Sequence, residues 1–358
     1  MFSLSNRILV LNLGSTSTKI AIFENTVPLI KESISHDIEV IKQFKNTIEQ
    51  TDYRKDIVLD FLRKNKIHIE SLDCIIARGG NCKPLTSGIY EINDEMLEDI
   101  KSEKTGIHPA GIGCNIAYEL GKKYEIPAII ADPPINDEFI RLARYSGIKE
   151  IERISSFHAT NHKAISRRYC KMVGIKYEDL NLIIVHLGGG ISVVAHCKGR
   201  MIDGNNALDG DGPFSPERAG CLPVGDLIKM CYSGSYSMKE MLKKVTGNGG
   251  LMSYLGTSSA LEVEEMIKNG NKYALEVYEA MAYQVAKEIG SAATTLNGNV
   301  DAIIFTGSMA YSKMFTDFIK ERVKWIADVV DMPGEDEMQS LAESAYRFLT
   351  KEEIAKEY

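Results

Sequence analysis

The sequence has no run of 18 consecutive apolar residues, and its N-terminus, MFSLSNRILVLNLG, offers only a four-residue apolar run after Arg7. Neither a membrane span nor a secretory leader is expected, and the chain reads as soluble and cytoplasmic. The seven cysteines (Cys74, Cys82, Cys114, Cys170, Cys197, Cys221 and Cys231) are odd in number and include no Cys-x-x-Cys pair. A disulfide framework and structural zinc are both disfavoured. Positive charge is not in excess: 42 Lys and Arg stand against 49 Asp and Glu, a net charge of −7. Nucleic acid is therefore not an expected partner, and an anionic ligand has to be captured by local groups. Long Pro, Gly or Ser tracts are also missing, so every segment is expected to fold. The 358 residues are too many for one small core and suggest two domains.

The common nucleotide loops are absent as well, since neither G-x-x-x-x-G-K-[ST] nor G-x-G-x-x-G occurs. What is present is LNLGSTSTK at 11–19, where a buried-strand pattern breaks into Gly14, four hydroxyl residues and Lys19. Two further buried strands end in small-residue loops, GGG at 188–190 and TGSMA at 306–310. Backbone amides without large side chains can approach phosphate oxygens closely, hydroxyls add donors, and Lys19 adds a charge. One such loop is an ordinary turn. Three at corresponding places suggest a nucleoside triphosphate.

Strand patterns at RILVLNLG, TKIAIFE and VPLIKESISH open the chain as an antiparallel meander, after which helices alternate with the short strands CIIA and PAIIAD. Asp132 falls at the end of the latter, and Pro133 after it favours an extended backbone there. Shifting the numbering by 174 lays Leu13, Gly14 and Ala21 on Leu187, Gly188 and Ala195, with Asn12 over His186. The second copy, LIIVHLGGGISVVAHCKGRMIDG, repeats the strand, loop, strand, strand order. Two similar α/β halves follow, expected at 1–155 and 156–335, with a last helix at about 336–358 returning to the first half.

NLGSTSTK and HLGGG, together with HPAG at 108–111, FHATNHK at 157–163 and FTGSMA at 305–310, resemble the acetate and butyrate kinase family. That family belongs to the sugar kinase, Hsp70 and actin superfamily. The resemblance implies an α/β fold of two duplicated ribonuclease-H-like (actin-like ATPase) domains with an interdomain cleft for ATP. It also implies reversible phosphoryl transfer to a short carboxylate, giving an acyl phosphate and ADP. RGGN, HPAGIG, DGDGPFSPERAG and TGSMAYS are similar to the butyrate kinase branch, whereas acetate kinases usually carry HLGNG and an arginine ahead of a Gly-Asp pair. Here Pro223 and Val224 precede Gly225 and Asp226, and Arg218 is the candidate to supply that charge. An acetate or propionate kinase, or a non-catalytic nucleotide switch, are the alternatives. A repressor of this superfamily would carry an added helix-turn-helix, for which strand one, beginning by residue 7, leaves no room.

Phosphoryl transfer needs positive charge around three equatorial oxygens and in-line alignment, with little covalent help from protein. Arg78, at a strand end, suits the carboxylate and the phosphoryl group, because a guanidinium binds such anions bidentately. By the resemblance, His158 donates to the transferring phosphoryl group, Asp132 is an active-site aspartate, and His108 lies at the carboxylate substrate. Because that substrate arrives deprotonated, Asp132 is expected to orient its neighbours and not to remove a proton. Asn12, Gly14, Ser15, Ser17 and Lys19 would hold phosphate and Mg2+. His186, Gly188, Gly189 and Gly190 look like a second phosphate loop, and Gly307, Ser308 and Met309 the adenosine side. Mg2+ takes few protein ligands. Asn12 with one carboxylate from GEDEM suffices, and Glu337 is preferred over Glu335 and Asp336. His162, four residues after His158, reads as a packing or capping histidine, with no third ligand for zinc. A homodimer or higher homo-oligomer is expected.

Overall fold

The computed structural model describes residues 5–102, 109–208 and 210–358. It divides into two compact units, one formed by Met1–Asn136 with Asp336–Tyr358 and the other by Asp137–Glu335. No helix among the described residues is long and apolar enough to cross a membrane.

The first unit holds a six-stranded sheet in the order β3-β2-β1-β4-β6-β5, formed by β1 (Arg7–Leu13), β2 (Ser17–Glu24), β3 (Val27–Ser35), β4 (Cys74–Ala77), β5 (Ile89–Glu91) and β6 (Ala128–Ala131). The first three strands form the antiparallel meander, and β1, β4 and β6 run parallel. The parallel strands are apolar on both sides because helices cover both faces of such a sheet. Leu9, Leu11, Ile75 and Ile130 pack against the Ala110–Tyr124 and Thr51–Lys64 helices on one face. Ile8, Val10, Ile76 and Ile129 meet Leu341, Ala342 and Ala345 of the Glu337–Leu349 helix on the other.

The second unit repeats this plan with five strands in the order β11-β10-β7-β8-β9: β7 (Asn181–Leu187), β8 (Ile191–Cys197), β9 (Arg200–Gly204), β10 (Ala302–Thr306) and β11 (Val329–Asp331). β7, β8 and β9 are antiparallel, while β7, β10 and β11 are parallel. The 174-residue shift lays β1 on β7 residue for residue, from Arg7 on Asn181 to Leu13 on Leu187. Residues 137–155, placed in the first half by sequence, belong to this unit. The Ile140 amide donates to the Ile202 carbonyl at 3.0 Å, and the buried Lys163–Glu138 pair closes at 2.7 Å.

One local expectation fails. Asp132 is not extended ahead of Pro133 but takes φ of 44°, a left-handed conformation costly for a residue with a Cβ. Its amide donates to the Gly88 carbonyl at 3.0 Å while its Oδ1 accepts the Gly88 N–H at 2.9 Å. This two-point clasp outweighs the pre-proline preference.

Candidate active site

In the first unit, the end of β1 and the turn after β4 bring three of the expected residues together. Asn12 is buried near the end of β1 and donates its amide to Glu337 Oε2 at 2.6 Å. The other Glu337 oxygen pairs with Arg78 Nη2 at 2.9 Å. Arg78 follows β4 and is anchored by its own amide on the Leu11 carbonyl at 3.1 Å. The turn behind it is packed so closely that a Cβ on Gly80 would sit 2.6 Å from Gly111 Cα. Only glycine fits there, which explains RGGN facing PAG. Among the described residues Arg78 Nε is buried and has no hydrogen-bond partner, and a buried cationic donor in that condition is suited to an anionic acceptor. His108 lies outside the described residues.

The GSTSTK loop is shaped from below. Gly14 donates to the Ser17 carbonyl at 2.9 Å, and Lys19 stands exposed on β2 directly across from Asn12. Beneath the loop lies Arg54, only 1% exposed, an arginine that the amphipathic pattern of its helix did not single out. Its Nη1 reaches the carbonyls of Gly14 at 2.8 Å and Ser17 at 3.1 Å, and its Nη2 that of Ser15 at 2.9 Å. Gln50 Oε1 takes the remaining Nε and Nη2 donors at 3.0 and 2.8 Å. With these carbonyls drawn inward onto a guanidinium, a positive charge sits under the loop. Asp132 is buried, and its carboxylate accepts the Gly88 amide.

The second unit supplies the histidines. His158 stands, half-buried, at the residue before the Ala159–Val173 helix, and its ring stacks on His186 at 3.8 Å between centroids. His186, the β7 counterpart of Asn12, is buried; its Nδ1 meets Asn161 Oδ1 at 2.9 Å and its Nε2 lies 3.6 Å from Glu335. Burial, aided by the neighbouring histidines and Arg218, holds its pKa well below the ordinary value. The GGG loop closes through Gly188 N–H to the Gly190 carbonyl at 3.2 Å, and Ser215 Oγ donates to the Gly189 carbonyl at 2.6 Å. Arg218 lies directly against Gly190, where any Cβ would collide with its guanidinium, and bonds the Ala207 carbonyl. Gly307, with φ of 85°, brings the turn after β10 onto Leu187, leaving no room for a Cβ. Ser308 beside it is exposed, whereas the Met309 side chain is packed in the core.

Sequence reading missed the groups behind His158. Ser192 Oγ lies 3.2 Å from His158 Nδ1 and 2.8 Å from His162 Nε2. His162 Nδ1 is 3.4 Å from His196 Nε2, and His196 Nδ1 is 2.5 Å from the Tyr177 hydroxyl. Ser192 and His196 share one face of β8 at a spacing of four, but ISVVAHC is buried on both faces and its apolar context reads as core. Burial is the main cause that keeps both His162 and His196 well below their ordinary pKa, and both are neutral. Among the described residues no cluster of three or more His, Cys, Asp or Glu could hold a metal.

Two sheets of matching strand order, each ending in glycine loops at β1, β7 and β10, define an actin-like ATPase fold. The chain superposes on an acetate kinase from Porphyromonas gingivalis with a TM-score of 0.77 and 19% identity, over 96% of this chain and 100% of that one. A propionate kinase from Francisella tularensis subsp. tularensis gives 0.74 with 22% identity over 95% and 98%. Acetate kinase from Entamoeba histolytica gives 0.75 with 17% identity over 94% and 98%. Residues 140–334 match the Acetokinase family. The chain belongs to that family, whose members are phosphotransferases with a carboxyl group as acceptor.

Proposed function

We propose that this protein is a butyrate kinase, transferring the terminal phosphoryl group of ATP reversibly to butyrate or a similar short or branched-chain fatty acid. The observation that carries the reading of the site is the convergence of Asn12, Arg78 and Glu337, in which a half-buried arginine keeps a buried Nε that has no partner among the described residues. A carboxylate is the acceptor such a fork binds best. The preference for butyrate over acetate is supported by the loops. HLGGG replaces HLGNG, Arg78 adjoins Gly79, and Val224, where acetate kinases place the arginine ahead of the Gly-Asp pair, is exposed at the start of the Val224–Cys231 helix. Arg218, against Gly190, supplies a positive charge at the GGG loop.

The acid arrives ionised and attacks through its own oxygen, so the protein has no proton to remove, and Asp132 holds the Gly88 turn. Arg78 fixes the carboxylate and offsets its repulsion from the phosphoryl group. Lys19, the GSTSTK amides above Arg54, and the glycines at 188–190 and 307 receive the phosphates, with Ser308 on the adenosine side. His158 donates to the phosphoryl group as charge accumulates on it. Asn12 Oδ1 and Glu337 fit Mg2+, which keeps most of its waters and takes one or two carboxylates. When bound, Mg2+ neutralises charge on the phosphate oxygens. The test is ATP-dependent acyl hydroxamate formation with acetate, propionate, butyrate, isobutyrate and valerate. Highest kcat/KM for butyrate or isobutyrate is expected, and a maximum at acetate would overturn the assignment.

A further inference from the structure

We propose that the segment following the Glu337–Leu349 helix is a strap across the turn that carries Arg78, and that Tyr358 within it is a positioning residue for that arginine. This rests on the reading of Arg78 as the residue that holds the substrate carboxylate.

The described residues 78–88, between β4 and β5, form no helix or strand apart from a single bridge from Leu85 to Asn136. No ladder fixes their backbone, so its donors and acceptors need partners from elsewhere in the chain. The strap supplies several. β5 is the outer strand of its sheet, and Lys356 lies beside it, bridged to Tyr90 and donating its amide to the Ile89 carbonyl at 2.8 Å. Lys356 Nζ donates to the Ser87 carbonyl at 2.5 Å and to Thr86 Oγ1 at 3.1 Å. Its stem crosses Gly88 so closely that a Cβ there would lie 2.9 Å from Lys356 Cε. Gly88 is also the residue clasped by Asp132. One end of the segment is thereby gripped.

Tyr358 grips the other end. Its hydroxyl accepts the Lys83 N–H at 3.0 Å and donates to Asp99 Oδ2 at 2.6 Å, while Lys83 Nζ stands 4.0 Å over its ring. The bond to Asp99 is charge-assisted, the stronger kind. Asp99 belongs to the Asp94–Ser102 helix, and the next residue, Ile100, is the one that backs the glycines behind Arg78. A Cβ on Gly111 would sit 2.6 Å from Ile100 Cγ2, and one on Gly80 would sit 3.5 Å from Ile100 Cδ1. Through one phenol, therefore, the Arg78 turn and the helix that supports it are held at a fixed separation. Without that hydroxyl the two can slide apart, and the guanidinium moves relative to Glu337.

The experiment compares wild type, Tyr358→Phe and Arg78→Ala as full chains, each assayed with whichever of the five acids wild type uses best. In Tyr358→Phe, kcat/KM for the acid should fall at least tenfold with calorimetric ATP affinity within twofold, because a displacement of about 1 Å remote from the chemistry can cost about 10²-fold. Hydrogen exchange at the Arg78 amide, which is bonded to the Leu11 carbonyl, should quicken at least fivefold in the same variant. Unchanged kcat/KM in Tyr358→Phe beside a crippled Arg78→Ala would overturn the proposal and leave the role of Arg78 standing. So would a lower melting temperature with kcat/KM unchanged, which would make the strap a purely structural clamp. An Arg78→Ala as active as wild type would refute the reading of Arg78 itself and the strap's function with it. An unaltered Arg78 amide would overturn the proposal whatever the substrate, whereas a preference for acetate would refute only the choice of butyrate.

Discussion

Replacing Arg54 by Met keeps most of the buried volume and removes the guanidinium under the GSTSTK loop. Gln50 Oε1 then loses both donors in a buried position, which costs about 1–3 kcal/mol, and the part-buried carbonyls of Gly14, Ser15 and Ser17 lose about 0.5–1.5 kcal/mol each. Arg54 forms no ion pair with a carboxylate among the described residues, so deleting its charge recovers part of the desolvation penalty that burial imposes on it. The net expectation is a loss of about 3 kcal/mol, or about 6–12 °C in the melting temperature of a domain this size. Arg54→Lys should recover less than half, because an ammonium cannot span the fork between Gln50 and three carbonyls. Thermal unfolding followed by far-UV circular dichroism measures both variants, and KM for ATP should rise in each as the loop loosens. A change in Arg54→Met below about 1 kcal/mol would show that the loop holds its shape without the arginine.

Arg78→Ala should lower kcat with butyrate about a hundredfold, the usual consequence of removing one transition-state donor, while calorimetric ATP affinity changes little; equal activity in mutant and wild type refutes its role. Lys19→Ala should weaken ATP binding in the same titration without shifting the melting temperature, as the side chain is exposed, and unchanged affinity would return this residue to the solvent face of β2. Glu288 has its carboxyl pushed up to about 7 from 4.5, first by burial, then by Asp211, with Arg153 opposing. Its folded form therefore holds a proton that the unfolded chain releases, so stability falls as pH rises through this window, by about 3 kcal/mol. Glu288→Gln should melt higher than wild type at pH 8 and alike at pH 4.5, and a gap independent of pH would refute the shift.

The repeated meander was legible because strand, small-residue loop and strand recur at one spacing, and β1 and β7 are then matched along their whole lengths. The pairing of Asn12 with Glu337 was legible as chemistry, since an amide at a strand end and an acidic cluster suit one cation, but that Arg78 joins the same carboxylate was not read from the sequence. Arg54 was hidden by its helix, whose exposed faces also carry Lys and Arg, so that no pattern separates the buried one. The chain from Tyr177 to His158 was hidden because its members come from a short turn, one strand and one helix, with Ser192 and His196 set in an apolar run. Asp132 defeated the local rule for another reason. Its backbone is set by Gly88, which lies 44 residues away in sequence.

The placement of the Glu337–Leu349 helix bears on the order in which the protein can be completed at the ribosome. Ile8, Val10, Ile76 and Ile129 emerge early, but the side chains that cover them, Leu341, Ala342 and Ala345, follow only after the entire second unit has been made. Domains usually finish in the order of synthesis, N-terminal first. Here the second unit, continuous in sequence, can close while the first still shows one apolar face of its sheet. A nascent chain halted before residue 337 therefore presents to chaperones a sheet that is hydrogen-bonded yet bare on one side, and that also lacks the carboxylate joining Asn12 to Arg78.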